Sequence, residues 1–141
     1  MKKLSRLLTL LLCLTACATV EATPKSRIES CVGALVQAYQ NKDERAFMAR
    51  ISKDYPDRAG LENRLMNAFL THIDIRVARA GVSNIVYENG AWSADVRVDY
   101  SFDRRIDERD PFERVRTSVA GRAVFKAENK TLVVTRFDKF K

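Results

Sequence analysis

From Trp92 to Asp103 the chain alternates without a break: Trp92, Ala94, Val96, Val98, Tyr100 and Phe102 fall on one face, while Ser93, Asp95, Arg97, Asp99, Ser101 and Asp103 fall on the other. A period of two over that length is a β-strand with one face buried and one wet. Slipping it by one residue would bring Asp95, Asp99 and Asp103 inside and expose every aromatic side chain, so the stretch fixes its own facing. Val115, Thr117, Val119, Gly121, Ala123 and Phe125 alternate in the same way with Arg114, Arg116, Ser118, Arg122 and Lys126, giving a second half-buried strand.

Two further strands flank this pair. Ile73, Ile75 and Val77 point one way and His72, Asp74 and Arg76 the other; Gly81 predicts a bend or bulge before the strand resumes over Ile85–Tyr87. Asn89-Gly90 is a hairpin signal because both residues tolerate positive φ. Glu128-Asn129-Lys130 turns the chain into a last strand, Thr131–Phe140, whose facing stays open because Leu132, Val133 and Val134 are consecutive. Between the two clear strands, residues 104–111 read as a charged loop too polar to pack.

Upstream the period is helical. Ser26-Arg27-Ile28-Glu29 reads as a capping box opening a helix to about Gln40, with Ile28, Val32, Leu35 and Tyr39 on one stripe. Asp43 caps a short second helix carrying Phe47, Met48 and Ile51, Asp54-Tyr55-Pro56-Asp57 is a turn, and a third helix from about Arg58 aligns Leu61, Leu65 and Phe69. Gly60 in its first turn weakens that start. Three helices followed by antiparallel strands predict an α+β domain with the helices on one face of a meander.

The N-terminus carries an address. Lys2, Lys3 and Arg6 precede a leucine run that ends at Leu14-Thr15-Ala16-Cys17, the pattern of a bacterial lipobox. The apolar stretch falls short of the roughly 20 residues of a permanent span. Small Thr15 and Ala16 admit a peptidase, and Cys17 supplies the thiol for acylation; bulky Leu12 disqualifies Cys13. Ordinary cleavage after Ala18, by the A-x-A pattern, and an uncleaved anchor are the competing readings. The expected division is a signal peptide over residues 1–16, a tether over 17–25 and one domain over 26–141. The expected location is the periplasmic side of an envelope membrane, and by resemblance to known envelope sorting, Ala18 after the cysteine favours the outer membrane.

Loss of the leader lowers the net charge from +7 to +4, and the remaining basic residues are interspersed with Asp and Glu, which argues against a nucleic-acid surface. With Cys13 removed and Cys17 acylated, Cys31 has no partner for a disulfide and reads as a small buried residue.

The order of elements resembles that of the nuclear transport factor 2-like (cystatin-like α+β) superfamily. So do Ala38-Tyr39-Gln40-Asn41-Lys42-Asp43 leading into Phe47, and the closing hairpin from Gly121-Arg122-Ala123-Val124-Phe125 to Val133-Val134-Thr135-Arg136-Phe137. The resemblance covers about Arg27–Phe140. It implies a curved sheet of about four strands wrapping the first helix to form a cone, a shape that hosts isomerases, dehydratases and binding modules, and it allows a homodimer. Leu132 and the glycine-free Asn129-Lys130 turn depart from the pattern.

Enzymes of that superfamily place an Asp or His inside the cone as general base, with a tyrosine or acid as oxyanion donor. Here the inward parity holds no titratable base and only Thr117 as a polar residue. His72, the only histidine, falls on the outer face with Asp74 and Arg76, and Tyr39 reads as a core tyrosine whose hydroxyl meets a backbone group. No ligand spacing points to a metal, and no cofactor is expected. Tyr39, Phe47, Phe69, Trp92, Tyr100 and Phe102 are the expected cavity lining; Arg104, Arg105 and Arg109 the expected partner surface. Asp95, Arg97, Asp99 and Asp103 opposite Arg114, Arg116, Arg122 and Lys126 predict a charge ladder across the outer face. The function expected is non-enzymatic: a membrane-anchored module binding an envelope protein or a small apolar ligand. The alternative is a small-molecule isomerase or hydratase, which needs Asp54, Asp74 or His72 inside the cone.

Overall fold

The computed structural model describes residues 22–105 and 112–140. Three helices, α1 (Pro24–Gln40), α2 (Glu44–Met48) and α3 (Arg58–Thr71), precede four strands, β1 (Ile73–Glu88), β2 (Ala91–Arg104), β3 (Glu113–Glu128) and β4 (Thr131–Lys139). The strands form one antiparallel sheet in the order β1-β2-β3-β4, with α1 laid across its inner face against β1 and β4. Cys17 and Arg109 lie outside the described residues. No described helix is long and apolar enough to cross a membrane.

The first helix starts earlier than the capping box predicts, and so reaches into the expected tether. Thr23 is the N-cap, its hydroxyl accepting from the Ser26 N–H, and Pro24 opens the helix. Proline suits that place because its φ is preset and its missing N–H is one the first turn cannot use. Asp57 caps α3 in the left-handed conformation (φ 52°) and accepts from the Gly60 N–H. A β-carbon on Gly60 would strike that carboxylate, so the glycine is the space the cap occupies.

Pairing of β2 with β3 runs in unbroken register from Trp92 opposite Phe125 to Arg104 opposite Glu113. The irregularity sits in β1, one continuous strand that holds an extra residue between Ile73 and Arg76, between Val77 and Arg79 and between Ser83 and Val86. Gly81 is not among these bulges; it pairs regularly with Arg97. Two of the bulges contain Asp74 (φ 48°) and Asn84 (φ 50°), residue types that enter the left-handed region at low cost. Each bulge strengthens the local twist, curling the sheet around α1. Asn89 and Gly90 turn β1 into β2 with both φ positive, as Asn129 and Lys130 do between β3 and β4.

An extra residue at Thr135 settles the facing of β4: Val134 pairs with Phe125 and Arg136 with Val124. Residues 50–52 then close the outer edge of β4. Val134 N–H donates to the Arg50 carbonyl and Ser52 N–H to the Val134 carbonyl, both at 2.8 Å, while buried Ser52 donates its hydroxyl to Glu128. The core formed by Ile28, Val32, Leu65, Phe69, Ala94, Phe102, Ala123 and Phe125 lies between helices and sheet.

Candidate functional site

Between α1 and the inner face of the sheet lies a cavity of about 300 Å³. Val32, Leu35, Val36 and Tyr39 of α1 form its roof; Val96, Val98 and Tyr100 of β2, and Val119, Ala123 and Phe125 of β3, form its floor. Phe47, Ile51, Tyr55, Leu61, Val77, Val134 and Phe137 line the sides. Every lining residue is apolar or a tyrosine, so the only side-chain polar atoms in the wall are the phenols of Tyr39, Tyr55 and Tyr100.

Of the six residues expected to line a cavity, Tyr39, Phe47 and Tyr100 do so. Phe69 and Phe102 are buried beside it, and Trp92 packs on Tyr87 at 4.6 Å near the hairpin end. Thr117 shares the inward parity opposite Tyr100 but is exposed.

His72 departs from its expected place. It is the C-cap of α3, not a strand residue, so the alternation of β1 does not govern it. Its ring stacks on Phe102 at 3.5 Å and its Nδ1 is hydrogen-bonded to the Tyr39 hydroxyl at 3.0 Å. The partner of Tyr39 is therefore an imidazole and not a backbone group. Tyr100 meets Tyr39 edge-on at 5.7 Å between ring centroids. The signal for this cluster was the junction itself: a residue between a helix stripe ending at Phe69 and a strand can turn inward whatever parity follows.

Burial controls the ionisation of the cluster. It lowers the His72 pKa, with the Lys42 ammonium adding to the effect, so the ring is held neutral more strongly than an ordinary histidine. Lys42 is held nearby by donating to the Phe69 carbonyl at 2.7 Å. Burial likewise raises Tyr39 and Tyr100, and the neighbouring phenol raises Tyr39 further. Cys31, also raised by burial, donates its thiol to the Leu132 carbonyl at 3.3 Å and is no nucleophile.

The other expected acids lie elsewhere. Asp54 is exposed, and Asp74 lies outside the cone, paired with Arg114 at 2.9 Å and Arg76 at 2.7 Å. On the outer face Asp95 meets Arg122 and Asp103 meets Arg114, whereas Arg97 pairs with Asp99 along its own strand. The ladder thus has two cross-strand rungs, because Arg116 lies opposite Ser101 and Asp99 opposite Ser118. Arg104 is held by Glu113 at 2.7 Å, and Arg105 is exposed. No cluster of metal-ligating side chains occurs among the described residues.

No protein-family model matches the sequence, and no curated protein matches it significantly. Solved structures match the fold closely in extent. A dehydratase candidate of the nuclear transport factor 2-like family from Streptomyces avermitilis superposes with a TM-score of 0.63 at 9% identity, covering 80% of this chain and 92% of its own. An aromatic ring hydroxylase candidate from Novosphingobium aromaticivorans gives 0.63 at 14% identity, over 82% and 86%. A ketosteroid isomerase-like protein from Erwinia carotovora atroseptica gives 0.61 at 12%, over 83% and 96%. Three helices on a bulged four-stranded meander enclosing an apolar cone, matched over four-fifths of the chain by such structures, give this protein the nuclear transport factor 2-like fold.

Proposed function

We propose that the protein is a lipid-anchored envelope domain whose cone binds a small apolar ligand without transforming it. The cavity carries this reading. Proton-transfer chemistry needs a base within hydrogen-bond reach of the reacting atom, and no carboxylate or imidazole belongs to the lining. A hydrocarbon wall of about 300 Å³ is instead suited to desolvating an apolar molecule. Leu14-Thr15-Ala16-Cys17 supports the anchor, since a diacylated and N-acylated Cys17 would hold the domain stably at a bilayer.

Two measurements test the proposal. A neutral probe, N-phenyl-1-naphthylamine, should bind the full chain saturably by fluorescence, and Val98→Trp, which places an indole in the cavity, should weaken it at least about tenfold. Unchanged binding in that variant would remove the cone as the site. Cys17→Ala should release the protein from the membrane fraction or block its processing; sedimentation like wild type would remove the anchor.

The Tyr39–His72 hydrogen bond favours a second reading, an isomerase or hydratase. In it the neutral imidazole would donate its Nδ1–H to the Tyr39 oxygen, leaving the phenol proton free to polarise a ligand carbonyl. The dehydratase candidate and the ketosteroid isomerase-like protein among the structural neighbours lean the same way. A ligand extracted from the purified protein and returned to it decides between the two: conversion that is lost in Tyr39→Phe establishes the enzyme, and recovery unchanged supports the binding module.

A further inference from the structure

The apolar cavity adjoins a polar groove, and the two share Tyr55 and Phe137 as walls. The groove is completed by Pro56, Arg64, Arg136 and Asp138. Tyr55 belongs to both walls and lies near enough to Arg64, Asp138 and Asp57 for its hydroxyl to feel their charges. Phe137 is held in place by the lack of a side chain at Gly121, where a β-carbon would run into the Phe137 ring and the Asp138 carbonyl.

We propose that this groove is a headgroup site, so that the cone takes an amphipathic carboxylate with its apolar body in the cavity and its carboxylate at Arg64 and Arg136. The proposal rests on the reading that the cavity binds a ligand. Its own support is the balance of donors and acceptors. Asp57 holds Arg64 through Nη1 at 3.1 Å and also accepts from the Gly60 N–H; Asp138 holds Arg136 through Nε at 2.8 Å. Each guanidinium carries five N–H donors in a fork matched to a carboxylate, so one contact apiece leaves most of them free, and the Tyr55 hydroxyl adds another. On the acceptor side Asp57 is engaged at both oxygens and Asp138 at one, so donors outnumber acceptors in the groove. An ionised carboxylate, which only accepts, fits this surplus; an ammonium would compete with the arginines, and an alcohol would gain a hydrogen bond without the charge.

Both arginine side chains are about two-thirds exposed, at 66% and 64%, so solvent screens the contact and the advantage expected is about tenfold. Equilibrium dialysis of decanoate, decanol and decylammonium against the full chain at pH 8 measures it. Decanoate should bind about tenfold more tightly than decanol, and decylammonium more weakly than either. Arg64→Gln with Arg136→Gln should erase the preference while decanol binding falls no more than about twofold, which also shows the variant folded. Equal binding of decanoate and decanol, or an undiminished preference in the double variant, overturns the headgroup site alone. Failure of all three to bind overturns the cavity reading with it.

Discussion

The two faces of one sheet are built from alternate residues of the same strands, yet they are held by different forces. On the inner face Ala94, Val96, Ala123 and Phe125 are buried against α1, where the gain is non-directional and grows with the apolar area removed from water. On the outer face Asp95–Arg122 and Asp103–Arg114 are directional pairs in contact with solvent, where screening and side-chain entropy leave little net stability. The inner face sets whether the domain folds; the outer face helps to set register and keeps the sheet wet.

Substitutions that cross this divide sharpen it, beginning with the largest effect. Phe125, fully buried beneath the cavity, should cost about 3–5 kcal/mol as Phe125→Ala, read from urea denaturation. A loss under about 1 kcal/mol would mean that the cavity collapses to fill the space. Gly121→Ala should cost about 1–3 kcal/mol by overpacking, because the Asp138 carbonyl cannot move without disturbing the β3–β4 pairing.

Acid should act in two windows. The folded His72 pKa lies below its ordinary 6.5, so the unfolded chain binds the proton first and stability falls as pH drops below about 6.5 and through the folded value. His72→Gln should flatten that part of the profile of urea midpoint against pH. Asp74 and Asp95 are depressed below 3.8, the first mainly by hydrogen bonds from Arg114 and Arg76, the second by Asn84 and then Arg122. Their contribution is present above about 3.8 and is lost as pH falls further through their folded values, so His72→Gln should leave this lower window unchanged. The smallest effect belongs to the half-buried rungs of the outer face: Arg122→Ala should cost about 1 kcal/mol or less, and a shift as large as that of Phe125→Ala would abolish the contrast between the faces.

Legibility in the sequence followed regularity. The Trp92–Phe102 alternation returned the inner face of β2 residue by residue, because an unbroken period of two survives into an unbroken ladder. Asn89-Gly90 gave its turn for the same reason: backbone demand and residue type coincide. Gly81 points to a bulge that β1 carries elsewhere, since Asp74, Ala78 and Asn84 hold no signal as specific as a glycine. His72 turns inward where parity places it outside, because the alternation of β1 does not govern the residue before the strand. Tyr55, Arg64 and Arg136 share no local signal in the sequence, being separated by a turn, a helix and two hairpins.

The sequence by itself determined the α+β order, which strand faces are apolar, the absence of a base on the inward parity of the two clear strands and, as an expectation, the anchor at Cys17. Tertiary structure alone decided that the cone is hollow, that His72 meets Tyr39 inside the helix–sheet junction, and that Arg64 and Arg136 share with Tyr55 a groove beside the cavity. Periodicity reports which side of an element a residue occupies. Cavities and polar clusters depend on how closely separate elements approach, and here three bulges in β1 and one in β4 set that distance.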